Sequence, residues 1–263
     1  MTRSVSETLA SNHLPERVRQ RLRRKPGGSH VSDAVLGAID GCVTTFAVVA
    51  GAYGAGFPAM VALVLGFANL LADGFSMAVS NYESVRAQQE YVESIRRTEE
   101  HHIEHIPDGE REEIRQIFAG KGFHGALLEE IVETITRNRA LWVDTMLQEE
   151  YGLQTTFLNP WKAGGTTFVA FLAVGVIPLL PMLVPGLDPA RQFLISSGLA
   201  CVMFFAIGML KSLVFARPVL KAGLQTLVTG GGGCRSGVCG WYRAAQRLRD
   251  RGALKGSAAQ LPC

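Results

Sequence analysis

The stretch VSDAVLGAIDGCVTTFAVVAGAY, Val31 to Tyr53, decides the fold. It stays mostly apolar over the ~20 residues that a helix needs to cross ~30 Å of hydrocarbon, and its only charged side chains are Asp33 and Asp40. Three further stretches have the same character: about Pro58 to Ser80, Ala163 to Val184 and Phe193 to Phe215. A Gly-Ala-Gly-Phe-Pro corner at 54–58 joins the first two, and Pro-Gly-Leu-Asp-Pro at 185–189 joins the last two. The expected fold is an all-α membrane protein built from two helical hairpins. Small residues crowd the first hairpin, among them Gly37, Gly41, Gly51 and Gly66. In lipid such residues let helix backbones approach closely.

The apolar body encloses a hydrophilic segment. Between Glu83 and Pro160 there are 16 acidic and 8 basic side chains, which leaves seven of the chain's 23 acids for everything else. The net charge of +3 is thus a sum over unlike regions, and no basic-aromatic interleaving points to a nucleic-acid partner. Five cysteines show no regular spacing, so no disulfides are expected. The basic run from Arg17 to Lys25 places the N-terminus in the cytoplasm by the positive-inside rule. A retained first span is expected here rather than a signal peptide, because the apolar run behind it is too long and holds two aspartates. Alternation then returns residues 83–160 and the basic end of the fourth span to the cytoplasm.

This divides the chain into a basic N-terminal segment (1–30), spans one and two (31–82), an acidic helical domain (83–160), spans three and four (161–217) and a tail (218–263). Within the acidic domain a helix is expected to continue span two to about His105, since 82–105 lacks Gly and Pro, and Pro107-Asp108-Gly109 stops it. Further helices are expected from about Glu110 to Ala119, Leu127 to Asn138 and Arg139 to Tyr151.

Two sets of residues point to metal chemistry. Asp33 and Asp40 lie two turns apart on one face of span one, and Asn69, Asp73 and Met77 share a face of span two. A carboxylate at mid-bilayer costs ~2.5–3.5 kcal/mol on insertion scales and usually faces a cavity or the bundle interior. Asp40 and Asp73 are therefore expected to mark an ion pathway, a structural polar contact being the alternative, with the Met77 thioether as a soft donor beside them. Asp33 sits near the membrane boundary, where capping the helix is an alternative role. In the acidic domain Glu99 with His102, Glu110 with Glu113, and Met146 with Glu150 fall at helix-neighbour spacing. Converging, they would form a site suited to Fe(II), Mn(II) or Zn(II); unconverged, they are solvated faces. The run Glu99-Glu100-His101-His102-Ile103-Glu104-His105 adds a second pattern, His101 and His105, at the four-residue spacing of many helical metal sites.

The motif Ser32-Asp33-Ala34-Val35-Leu36-Gly37-Ala38-Ile39-Asp40-Gly41, the Ser76-Met77 pair, and an acidic insert ending at Trp142 to Leu153 are similar to the vacuolar iron transporter family over about residues 30–229. The resemblance implies a homodimer of five-span subunits in the lipid bilayer that exchanges Fe(II), and often Mn(II), for protons and removes the metal from the cytosol. It puts Asp40 and Met77 on the pathway at the dimer interface, and makes Glu99, Glu110, Glu113, Met146 and Glu150 ligands in the insert. Two departures stand out. His102 replaces a family glutamate, and Asn69 stands where the family carries a glutamate, with Asp73 one turn on. The implied setting is a bacterial inner membrane or a vacuole-like membrane.

The tail departs further. Where a fifth span is expected, the chain runs through Gly230 to Gly233 into an Arg-rich end. Codons for residues 233–239 read one base later can spell an Ala-rich apolar start, so a frameshift near Gly230 is one reading. A basic tail on anionic lipid is the other. Transport is expected, rather than enzymatic activity. A metal-buffering or sensing protein is the first alternative. A di-iron carboxylate oxidase is less favoured, because Glu99-x-x-His102 has no second copy.

Overall fold

The computed structural model describes residues 13–23, 30–154 and 158–215; the tail and its expected frameshift lie outside the described residues. Among the described residues the secondary structure is helical, without strands. The helices are α1 (Pro15–Arg23), α2 (Val31–Gly54), α3 (Ala59–His105), α4 (Pro107–Gly120), α5 (Gly125–Thr136), α6 (Arg139–Glu149), α7 (Pro160–Gly175) and α8 (Pro189–Phe215), with a 3-10 helix at Ile177–Leu183. Four segments are long and apolar enough to cross a membrane: Val31–Gly54, Ala59–His105, Pro160–Leu183 and Pro189–Leu210. The chain is an integral, all-α membrane protein.

The contacts of the described residues fall into two units, one within 30–83 and 160–215, the other within 13–23 and 84–159. In the first unit, glycines set the spacing of α2 and α7. A Cβ on Gly37 would lie 2.2 Å from the Thr167 carbonyl oxygen, and one on Gly41 2.4 Å from that of Phe171. Only glycine permits that backbone approach, which maximises van der Waals contact where lipid removes the hydrophobic drive. Around it, Cys42, Phe46, Ala200 and Phe204 form one buried cluster, and Val49, Leu70, Phe171 and Leu179 another. At the α2 start a polar clasp replaces apolar packing. Asn81 Nδ2 donates to Asp33 Oδ1 at 3.0 Å and to Thr167 Oγ1 at 2.8 Å, and His30 Nδ1 lies 2.9 Å from Asp33 Oδ2.

Prolines account for two differences from the expected spans. Span three is α-helical only to Gly175, because Pro178 and Pro181 cannot donate to an α-helical ladder and the chain tightens into a 3-10 helix. Helix α8 begins at Pro189 rather than Phe193: proline is pre-shaped for the first helical turn, and Asp188 Oδ2 accepts from the Ala190 amide at 3.2 Å.

In the second unit Ile114, Leu128, Val132, Ile135, Trp142 and Met146 make the core, and Val92, Val143 and Leu147 a smaller cluster. Helix α3 ends at His105 as expected, but Pro107 opens α4 rather than Glu110, so Asp108 and Gly109 are helical. Asn138, expected inside a helix, caps the next one: its side chain accepts from the Leu141 amide at 3.2 Å. Arg96 to Asp144 at 2.5 Å and Arg139 to Glu104 at 2.6 Å cross between α3 and α6.

The Gly37→Val and Gly41→Val variants are expected to lose at least the ~1–3 kcal/mol of an overpacked interior, whereas Gly51→Ala, whose Cβ would meet nothing within 4 Å, leaves stability unchanged. Thermal unfolding in detergent, followed by circular dichroism, checks both.

Candidate metal centre

The last turns of α3 and the first turn of α4 bring three ligands together. Glu99 and His102 share a face of α3, and the short connection to Pro107 places Glu110 opposite them. His102 Nδ1 lies 3.2 Å from Glu110 Oε1 and 3.8 Å from Glu99 Oε1. One ligand atom from each of the three residues falls within 4.8 Å of the others. Both carboxylates are only 1% exposed, while His102 is partly open to solvent.

Such burial is costly unless charge is compensated. Glu99 Oε2 and Glu110 Oε2 are both buried with no hydrogen-bond partner, and a native structure seldom leaves such oxygens orphaned. Glu99 Oε1 accepts from the Tyr151 hydroxyl at 3.0 Å. Burial first, then the Glu99 and Glu113 carboxylates, pushes Glu110 up from 4.5 to about 8. Burial, then the Glu99 and Glu113 charges, also raises Glu150, and burial with the Glu99 hydrogen bond raises the Tyr151 phenol. The arrangement suits a divalent cation: it would replace the proton held by Glu110 and satisfy both orphaned oxygens, with imidazole nitrogen and carboxylate oxygen favouring a transition metal over Mg(II).

Of the six residues expected in the insert site, Glu99, His102 and Glu110 meet directly. Glu113 and Glu150 are more exposed, but their charges reach Glu110. Met146 is fully buried in the apolar core with Ile114 and Trp142. Tyr151 was absent from the expected set. Helix α6 ends at Glu149 rather than at Tyr151, and Gly152, at φ 64°, turns the chain so that Leu153 donates to the Leu147 carbonyl at 2.9 Å. Spacing along a helix cannot reveal a residue beyond its end.

The first unit holds the other expected set. Asp33 is an interior residue of the first α2 turn, not its cap; His30 is the cap position and makes no side-chain capping bond. Both Asp33 oxygens are engaged by Asn81 and His30, partners that sequence spacing did not identify. Asp40, Asp73 and Met77 are half-buried, and Asp40 and Asp73 are near enough for their charges to interact. Met77 packs beside Leu70 and Phe171.

Glu110 gives the centre a pH signature. Its contribution to folding is fully present below the ordinary value of 4.5 and is lost as pH rises through about 8. Without metal, Glu110→Gln is therefore expected to unfold at a higher temperature than wild type at pH 8, with the gap closing toward pH 5; melts in chelator at both pH values measure it.

The chain is 37% identical over 153 residues to the vacuolar iron transporter of Toxoplasma gondii, covering 57% of this chain and 51% of that protein. It is 33% identical over 154 residues to the vacuolar iron transporter of Plasmodium berghei, covering 57% and 56%. Vacuolar iron transporter 2 of Oryza sativa subsp. japonica is 30% identical over 180 residues, covering 67% and 72%. The chain thus spans about half the length of the Toxoplasma and Plasmodium relatives it matches. The VIT family model matches residues 31–237, well over half of the chain, and the chain belongs to the VIT family.

Proposed function

We propose that this chain transports a divalent metal, Fe(II) with Mn(II) as a second cargo, out of the cytosol in exchange for protons, and does not act as an enzyme. The observation that carries the reading is the buried Glu99, His102 and Glu110 triad with its orphaned oxygens, on a membrane chain of the VIT family. The relatives' name, vacuolar iron transporter, supports iron as the cargo. The basic run before α2 supports a cytoplasmic N-terminus and insert, in a bacterial inner membrane or a vacuole-like one.

In this mechanism the triad strips water from a cytosolic ion by offering two carboxylates and an imidazole. Proton release from Glu110 accompanies binding, so capture weakens as pH falls. Asp40, Asp73 and Met77 then replace part of the hydration shell within the membrane, and protonation of these aspartates on the far side frees the ion. Asp33, held by Asn81 and His30, keeps the cytosolic end of that path in shape. A homodimer is proposed to form through span two. There Ala68, Ala72 and Ser76 stand exposed beside half-buried Asp73 and Met77, and small residues are what membrane helices use to approach one another.

Fe(II) flux into proteoliposomes with an imposed pH gradient tests the reading. Asp40→Ala and Met77→Ala are each expected to cut the initial rate about tenfold or more, the effect of losing a charged or ligating contact of ~1.5–3 kcal/mol. The Glu99→Gln and Glu110→Gln pair should instead raise the Fe(II) concentration needed for half-maximal rate. Undiminished flux in the Asp40 and Met77 variants would remove the pathway assignment, and metal binding without flux would make the protein a buffer.

A further inference from the structure

His101 and His105 take no part in the triad. Consecutive helical residues are turned ~100° apart, so while His102 faces Glu99 and Glu110, His101 and His105 share another strip of α3 and are both exposed. Their ring centroids are 4.0 Å apart, with planes inclined at 42°. His105 Nδ1 lies 2.8 Å from the His101 carbonyl oxygen. A carbonyl only accepts, so this contact requires the proton on Nδ1 and, in the neutral ring, leaves the Nε2 lone pair of His105 as the ligating atom. Metal-binding histidines are commonly held this way, the second ring nitrogen donating to a backbone carbonyl that fixes tautomer and ring orientation. His105 also sits in the last turn of α3, where the helix dipole favours a cation.

We propose that His101 and His105 form a second metal site, distinct from the carboxylate centre, for divalent ions that prefer imidazole: Ni(II), Cu(II) and Zn(II). Glu104, between the two histidines in sequence, is held by Arg139 at 2.6 Å, so two nitrogens and solvent complete the coordination. A site without a carboxylate ligand has little hold on Mn(II) or Mg(II), which favour oxygen. The two centres therefore differ in what they can hold: the triad, with carboxylates beside an imidazole, takes Mn(II) as well as imidazole-seeking ions, whereas the exposed pair takes only the latter.

Equilibrium dialysis of the tag-free full chain in detergent, against Ni(II) and separately against Mn(II), tests this. The double variant His101→Ala/His105→Ala is expected to bind one fewer equivalent of Ni(II) than wild type while binding Mn(II) unchanged. His105→Ala alone should weaken that equivalent by about 10-fold or more, since losing a ligand costs at least as much as losing a ligand's outer-shell partner. Glu99→Gln/Glu110→Gln should do the reverse, losing Mn(II) and keeping the Ni(II) equivalent, which separates failure of this site from failure of the triad. Both histidines are exposed, so unchanged helicity is expected in the histidine variants. Unaltered Ni(II) stoichiometry and affinity in the double histidine variant would overturn the proposal, as would loss of that equivalent only when the glutamates are changed.

Discussion

Two carboxylates closed off from water, one 3.2 Å and the other 3.8 Å from a single imidazole, are the constraint around which the acidic unit is arranged. Glu99 and Glu110 cannot both carry full charge there without a counter-charge. The fold answers with a proton on Glu110, a hydroxyl from Tyr151 and a partly exposed His102, and still leaves one oxygen of each carboxylate unpartnered. Packing holds the arrangement in place against its own repulsion. Ile114, one turn beyond Glu110, and Met146, one turn before Glu150, are both fully buried in the same core. Stability withheld at such a site is the usual cost of a preformed binding centre.

The membrane unit rests on a different economy. Its helices approach through Gly37 and Gly41 until backbone meets backbone, and the polar clasp of Asp33, Asn81 and Thr167 ties α2, α3 and α7 at one end. The two buried acidic sites thus differ in kind. Asp33 has partners for both oxygens, as a structural carboxylate should; Glu99 and Glu110 do not. That difference singles out the insert as the stronger candidate for holding an ion, and gives Asp33 a positioning part in the proposed pathway.

Much of this was legible from residue order. Length and apolarity located four spans, the absence of Gly and Pro from 82 to 105 carried α3 through to His105, and three-residue spacing paired Glu99 with His102. Proline was the main source of boundary differences. Pro107 and Pro189 look like breakers but occupy first helical turns, and Pro178 with Pro181 turns the end of span three into a 3-10 helix. Spacing also could not separate ligand from core: Met146 has the register of Glu150, yet its side chain is enclosed by apolar neighbours. Tyr151 and Asn81 were beyond such reasoning, because their partners lie 52 and 48 residues away in sequence and only the fold brings them together.

Whether Glu99, His102 and Glu110 hold a divalent cation is read out by anomalous diffraction from crystals of the full chain soaked in Mn(II). An anomalous peak bounded by the two carboxylates and the His102 ring is expected, with both orphaned oxygens turned toward it. Mn(II) found only on solvent-facing acids such as Glu129 and Glu133, with the triad bare, would contradict it.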